Sequence, residues 1–254
     1  MIYKYVKRFI DCYNLTNHFF NSLKYSITLD YTTINVIKYK NHLIHLRNNK
    51  IDEQVFYAAF TKKYHIPPLK LPDNCTIIDL GSNIGMTILD FYDVYPNPNI
   101  IIGLEMDNEN YNLAVKNLKN VSNVVLLNKA ISINDSLIYY SGNDPQSYSI
   151  CQQNNENTKS CDGVSMLSLI KSFGLTKIDY LKIDIEGYEY QLICHKDFHL
   201  WSQNIDVISI EMHDHLSIEK YAKEIVTKLE INNFLVRNHP THFNGIIAIN
   251  KKML

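Results

Sequence analysis

From residue 75 onward the chain repeats one pattern, an apolar run of strand length followed by a segment of helical period. The runs are TIIDL (76–80), IIIGLE (100–105), NVVLLN (123–128), DYLKID (179–184) and DVISIE (206–211), with helical segments near 85–94, 108–120, 163–173 and 217–232. Uninterrupted Ile, Val and Leu suit strands buried on both faces of a parallel sheet. Their alternation with helices predicts an α/β, doubly wound domain. FLVRN (234–238) and GIIAIN (245–250) lie close together and predict an antiparallel hairpin at the sheet edge.

Upstream the order is different. INVIKY (34–39) and HLIHLR (42–47) flank a Lys-Asn turn and predict a hairpin, DEQVFYAAFTKKY (52–64) predicts an amphipathic helix, and HIPPLKLPD (65–73) breaks structure. Residues 1–74 are therefore expected to be a flank or lid and residues 75–254 the main domain. CQQNNENTKS (151–160) reads as an exposed loop.

A chain of 254 residues, 46% hydrophobic and 20% charged, can bury a full core. Its net charge of −1 gives no general field for nucleic acid or membrane. Residues 1–50 do carry eight Lys/Arg against Asp11 and Asp30. That excess is either a solvated face or a site for an anionic acceptor. Five scattered cysteines without a CxxC pair argue against a disulfide framework or structural zinc and suit a reducing compartment. Charges interrupt the apolar start, MIYKYVKRFIDCYN, which fits neither a signal peptide nor a membrane span; the expected location is the cytoplasm.

The first strand ends in Asp79-Leu-Gly81, and Gly85 follows. A dinucleotide fingerprint would need glycines at Asn83 and Met86, and a phosphate loop would need Gly-Lys-Ser/Thr. Between Leu71 and Val115 there are seven acids and no Lys or Arg, so this loop suits a cationic ligand rather than a pyrophosphate. S-adenosylmethionine, a sulfonium with an α-ammonium group, has that charge. On this reading the glycines allow close backbone approach, Asp79 meets the amino-acid end, and Glu105 accepts the ribose hydroxyls. The alternative makes Asp79 a helix cap and Glu105 an exposed strand-end acid.

Ligands of parallel sheets bind beyond the carboxyl ends of the strands. Those ends supply Ser82 and Asn83 in the glycine loop, Met106 and Asp107 after Glu105, Lys129 and Ala130 after Asn128, Asp184 with Glu186, and Glu211 with His213, Asp214 and His215. In KIDIEGYE (182–189), Lys182, Asp184 and Glu186 form either part of this pocket or a structural ion cluster.

The stretches IIDLGSNIGMT, IIGLEMDNENYNLAVKNL, VVLLNKAIS and YLKIDIEGYEYQLI resemble the motif series of the FkbM-type S-adenosylmethionine-dependent methyltransferases. IHLRNNKIDEQVFYAAFTKKY resembles the segment preceding the glycine loop in that family, so the resemblance runs from about residue 34 to 250. The turn at Met166 to Leu169 departs from the family pattern, and the first thirty residues lie outside it. The resemblance implies a Rossmann-like class I methyltransferase fold and methyl transfer to oxygen, often on a sugar or polyketide-type hydroxyl. It also implies that Asp79, Gly81, Gly85 and Glu105 hold the cofactor, Ala130 lies by the adenine and Asp184 sits at the reaction centre. Ser82, Asn83, Met106 and Lys129 complete the expected cofactor set.

Methyl transfer is an in-line displacement that needs donor carbon and acceptor oxygen held about 3–3.5 Å apart, with a base near the hydroxyl. The expected base is His213, with Asp184 as alternative and Glu211 beside them. Alternatively Asp184, Glu211, His213 and Asp214 hold a divalent cation. Residues 139–150 and the basic flank are expected to recognise the acceptor, a hydroxyl of a sugar, glycan or nucleotide-sugar-like compound. Rival classes are an NAD(P)-dependent oxidoreductase, a catalytically silent donor- or glycan-binding subunit, and a nucleic-acid methyltransferase.

Overall fold

Alternating side chains of the apolar runs diverge to two separate cores. This is seen in a computed structural model that describes residues 2–17, 19, 22, 26, 34–142, 147–151, 158–213, 218–242 and 244–254. The strands are β1 (Ile34–Tyr39), β2 (His42–Arg47), β3 (Thr76–Leu80), β4 (Ile100–Leu104), β5 (Val124–Leu127), β6 (Ala130–Ser132), β7 (Leu137–Ser141), β8 (Ser149–Cys151), β9 (Lys159–Ser165), β10 (Ile178–Ile183), β11 (Ile205–Glu211), β12 (Phe234–Asn238) and β13 (Gly245–Asn250). The helices are α1 (Ile2–Thr16), α2 (Lys50–Tyr57), α3 (Met86–Val94), α4 (Asn108–Asn117), α5 (Met166–Ser172), α6 (Glu189–Ile193), α7 (Phe198–Ser202) and α8 (Ile218–Ile231).

The central sheet runs β12-β13-β11-β10-β3-β4-β5. Its strands β11, β10, β3, β4 and β5 are parallel, and β13 and β12 close one edge antiparallel, as the hairpin pattern predicted. Ile77, Ile101, Tyr180 and Val207 face one core with Ile88 and Phe91 of α3. Ile78, Ile102, Leu181 and Ile208 face the other, which Leu169, Leu192, Trp201 and Leu229 cover. Period-two divergence from strands with no polar face is what a three-layer sandwich requires.

The flank joins the first core. Ile37, Leu46 and Phe56 pack in the same cluster as Ile77 and Ile88. Arg47 holds Asp52 (2.9 Å) and Asn110 (2.7 Å), and the Asn117 side chain accepts from His45 N (2.6 Å) and donates to Ile84 O (2.9 Å). Arg8 of α1, a helix the sequence patterns did not announce, pairs with Glu53 at 2.6 Å.

Three local expectations change. The helix expected over 163–173 starts at Met166, because Lys159–Ser165 is a strand and Ser165 caps the helix through Ser168 N. The helix expected over 52–64 turns π-helical at Ala58–Lys62 and stops at left-handed Lys63 (φ 49°). Residues 130–165 carry a second sheet, ordered β6-β9-β7-β8; of the loop expected over 151–160, Cys151 ends β8 and Lys159 and Ser160 begin β9, while 152–157, like 143–146, lie outside the described residues. Among the described residues, no helix is long and apolar enough to cross a membrane.

Candidate active site

Leaving β3, the backbone turns sharply at Gly81 (φ +83°), whose N–H and that of Ser82 both bond the Leu104 carbonyl at 3.0 and 2.9 Å. A Cβ on Gly81 would stand 1.8 Å from the Asp184 carbonyl oxygen, so the ends of β3 and β10 meet only because this residue has none. Asn83 continues the turn in the left-handed region (φ 48°) and donates its N–H to Glu105 Oε2 at 2.9 Å. Glu105, one residue beyond β4, takes the Asp107 N–H on Oε1 at 2.8 Å. Burial pushes its pKa up to about 7 against the pull of those two N–H groups.

These residues floor a cavity of about 740 Å³ at the carboxyl ends of the parallel strands. Gly81, Ser82, Asn83, Glu105, Met106, Lys129 and Ala130 line one part of it, as expected from sequence, and Asp184, Glu211 and His213 line another. The Ser82 hydroxyl is buried with no hydrogen-bond partner among the described residues.

Two expected cofactor residues do not line it. Asp79 is fully buried beneath the floor, where its carboxylate accepts the Thr87 hydroxyl and lies 3.1 Å from Lys182 Nζ. Its charge is matched inside the protein. Gly85 (φ +83°) faces Leu118 and Ala114, which a Cβ would contact at 3.0 and 3.3 Å; it lets the loop pack on α4 and its neighbouring turn. Neither is the helix-cap alternative realised, since Gly85 occupies the N-cap without a side-chain bond.

Lys182 is 3% exposed and also lies 3.1 Å from Asp184 Oδ2. Burial opposes its charge, but Asp184 and Asp79 outweigh burial and hold its pKa well above the usual value. Asp184 responds in kind: burial would raise its pKa, and Lys182 and His213 bring it below the ordinary carboxylate value. Both sequence alternatives for this trio are thus partly realised, with Lys182 internal and Asp184 reaching from the ion cluster into the cavity.

His213 sits among four carboxylates. Its Nδ1 is 3.0 Å from Glu189, and its Nε2 is 3.4 Å from Glu186 and 3.8 Å from both Asp184 and Glu211. Burial works against a charged ring, yet bonds to Glu186 and Glu189 and the field of Asp184 push its pKa up to about 11. Neighbours that favour the charged ring make His213 a weaker general base than a neutral imidazole, which weighs against the role expected of it. Asp214 and His215 lie outside the described residues.

The strand-end argument missed the opposite walls. His242, from the turn between β12 and β13, lines the cavity with Nε2 3.3 Å from Glu211. Two histidines in that turn, His239 and His242, were the available signal, but the turn belongs to an antiparallel hairpin. Lys62 and Tyr64 come from the flank. Between and after them, Lys63 and His65 reach Asp90 at 2.7 and 3.2 Å, so alternate residues anchor the segment while the others face the cavity. Burial would raise the Asp90 pKa, but bonds from His65 and Lys63 lower it. Tyr148, from the expected acceptor region, also lines the cavity, and Lys159 donates to its hydroxyl at 3.0 Å while bonding Asp107 at 2.6 Å.

Residues 81–236, more than half of the chain, match the family described as methyltransferase FkbM domain. The structure of methyltransferase FkbM from Methylobacillus flagellatus KT aligns with a TM-score of 0.50 and 11% identity over 96% of this chain. This chain spans 58% of that protein's length. That likeness is one of fold, the class I methyltransferase architecture expected from sequence. Fibrillarin pre-rRNA processing protein from Methanococcus jannaschii aligns with a TM-score of 0.46 and 13% identity over 87% of this chain and 84% of its own. Aeropyrum pernix fibrillarin, solved with natively bound S-adenosyl-L-methionine, gives 0.45 and 11% over 86% and 84%. A comparison with curated proteins finds no match.

Proposed function

Because the chain belongs to the methyltransferase FkbM domain family, we propose that it moves a methyl group from S-adenosylmethionine to a hydroxyl oxygen of a sugar, glycan or nucleotide-sugar-like acceptor. The observation that carries this reading is one cavity with two chemically different ends. A glycine turn and the buried Glu105 line it beside β3 and β4, and carboxylates and imidazoles (Asp184, Glu186, Glu211, His213, His242) line it beside β10, β11 and the β12–β13 turn.

The residues present fit the donor. Gly81, Ser82 and Asn83 line the cavity with a tight turn, and the buried Ser82 hydroxyl has no hydrogen-bond partner among the described residues. Glu105 accepts the Asn83 and Asp107 N–H groups and lines the cavity, where a ribose hydroxyl can reach its carboxylate. Met106 and Ala130 offer apolar contacts to a base, and Lys129, 3.5 Å from Asp162, is partly neutralised. When bound, the donor supplies an electrophilic methyl carbon on a sulfonium.

Toward the acceptor, Glu211 takes the hydroxyl proton. It faces the cavity and has His242 beside Oε2 and His213 beside Oε1. Asp184, fixed by Lys182, orients the acceptor rather than removing its proton, since a carboxyl of lowered pKa is a weak base. Val55, Ala58 and Tyr64 form a wall from the flank that restricts water and reads the acceptor's apolar faces. Lys62 adds a cation for a phosphorylated or nucleotide-linked compound.

The test begins with thermal shift. At a hundred times its dissociation constant, S-adenosylmethionine or its demethylated product stabilises by about 2.7 kcal/mol, a rise of roughly 5–10 °C. Radiolabelled methyl transfer to hydroxyl compounds, compared with amine analogues, then tests the oxygen acceptor. A shift with NAD and none with the sulfonium donor would overturn the reading.

A pH dependence follows from Glu105. Its carboxyl is protonated in the folded chain up to about pH 7 but ionises near 4.5 when unfolded. The folded state therefore binds the extra proton between those values. The Glu105 contribution to stability is complete below pH 4.5 and falls by about 1.4 kcal/mol per pH unit until pH 7. Donor binding needs the ionised form to receive both ribose hydroxyls, so its affinity is expected to drop about tenfold per unit below pH 7. Donor titrations from pH 5.5 to about 8.5 check this; a flat profile would remove Glu105 from the ribose.

A further inference from the structure

We propose that Asp184, Glu186 and His213 form a binding site for one divalent cation in the acceptor half of the cavity. The role of that ion rests on the methyl-transfer reading, but its binding does not. One ligand atom from each residue lies within 4.8 Å of the others, and Nε2 of His213 is 3.4 Å from Glu186 Oε2 and 3.8 Å from Asp184 Oδ1. Donors at about 2.0–2.2 Å from a metal stand about 3–3.6 Å apart at tetrahedral to octahedral angles, so side-chain movements on the order of 1 Å close this set.

A residue outside the set supplies the second observation. Glu189 is 3% exposed, and its Oε1 accepts the Ile185 and Gly187 N–H groups at 3.2 and 3.3 Å. The same oxygen holds His213 Nδ1 at 3.0 Å, which leaves Nε2 directed at Asp184 and Glu186. A buried carboxylate orienting the far nitrogen of an imidazole is how proteins prepare a histidine for a metal.

Charge points the same way. Asp184 uses Oδ2 on Lys182 and keeps Oδ1 toward the histidine. Glu186 has His213 as its one ion-pair partner among the described residues. Glu211 places Oε1 3.8 Å from the same Nε2, close enough to serve as a fourth donor or to act on what the ion binds. The cluster is partly exposed and lines the cavity, so an acceptor hydroxyl can complete the coordination. One imidazole with two or three carboxylates suits Mn²⁺, Fe²⁺ or Zn²⁺ better than Ca²⁺, which asks for six to eight oxygens. Such an ion would lower the pKa of the hydroxyl whose proton Glu211 takes.

Of the cation set weighed from sequence, Asp184 and His213 belong to this site, Glu186 joins them, Glu211 stands beside it, and Asp214 lies outside the described residues. The test is a titration of Mn²⁺ alone into the full, chelator-stripped chain, read by calorimetry and by electron paramagnetic resonance, without methyl donor. One ion per chain is expected. Glu186→Gln and His213→Gln should each weaken it at least about tenfold, while Glu230→Gln, on an exposed face, should not. Melting of the metal-free variants separates loss of binding from loss of fold. No binding of Mn²⁺ or Zn²⁺ up to about 1 mM, or binding unchanged in both ligand variants of intact fold, overturns the proposal. Donor-induced stabilisation, measured separately, reports on the methyl-transfer reading whichever result the metal gives.

Discussion

Gly81→Ala is expected to abolish donor binding and to cost about 3–5 kcal/mol of stability, the upper end for a single substitution. Two independent penalties combine there. The left-handed backbone at φ +83° costs an L side chain roughly 1–2 kcal/mol. The larger penalty is steric, because the new Cβ would lie 1.8 Å from a backbone oxygen, that of Asp184, and no rotamer change can move it away. Relief requires β3 and β10 to part at their carboxyl ends. Bonds of Gly81 and Ser82 to Leu104, and of Asp184 N to Leu80 O at 3.1 Å, oppose that movement. The turn that opens would be the turn that faces the cavity. Gly174→Ala is the control, since Gly174 also has positive φ (61°) but nothing within 4 Å of its would-be Cβ. It should lose about 1 kcal/mol, or roughly 2–4 °C, and keep donor binding. Equal melting losses for the two variants, with donor affinity retained in both, would show that the close approach at Gly81 has no functional weight.

What could be read from the chain follows from the range of the interactions involved. Buried strands announce themselves through continuous apolar runs, and the loop at Gly81 through its spacing from the strand and from Glu105. Those are local signals, and the central sheet, the edge hairpin and most of the donor half of the cavity obey them. The second sheet did not, because its strands are short and carry Ser, Tyr, Lys and Asp; they hold together by pairing between segments, such as Leu137 with Asp162, that no local period encodes. Asp79 was placed correctly at a strand end but assigned the wrong partner. The acid's neighbour across the sheet is Lys182, in register opposite it, and a cation more than a hundred positions later is invisible to a reading of one loop. His213 shows the same limit for protonation. Its position beyond β11 was legible, whereas Glu186 and Glu189, which stand 3.4 and 3.0 Å from its ring nitrogens, come from the turn and helix after β10. His242 and Tyr64 lay outside the rule used to find the site, which follows parallel strands only.

Lys182→Met should be the most destabilising substitution of a charged residue, at about 3–5 kcal/mol and a melting point on the order of 10 °C lower. Methionine matches the lysine stem in length and packs well, so lost volume is not the cause. The cost arises because Asp79, fully buried, and Asp184, its neighbour across the loop, are left without the ammonium that stands 3.1 Å from each. A buried pair stabilises little relative to apolar replacement of both partners, but removing one partner leaves an uncompensated charge. That asymmetry makes the prediction testable by a cycle. Asp79→Asn keeps an oxygen for the Thr87 hydroxyl and removes one of the two stranded charges. Lys182→Met/Asp79→Asn should therefore be more stable than Lys182→Met alone, with a coupling of about 1–3 kcal/mol. Recovery stays incomplete because Asp184 remains, and the residual deficit should shrink in acid as the stranded carboxylates take up protons. Chemical denaturation of the wild type, both single variants and the double variant at pH about 5 and about 8 measures all of these terms. If the two substitutions simply add, Lys182 does not neutralise Asp79, and the carboxylate beneath the cavity floor is free to act on the donor's ammonium after all.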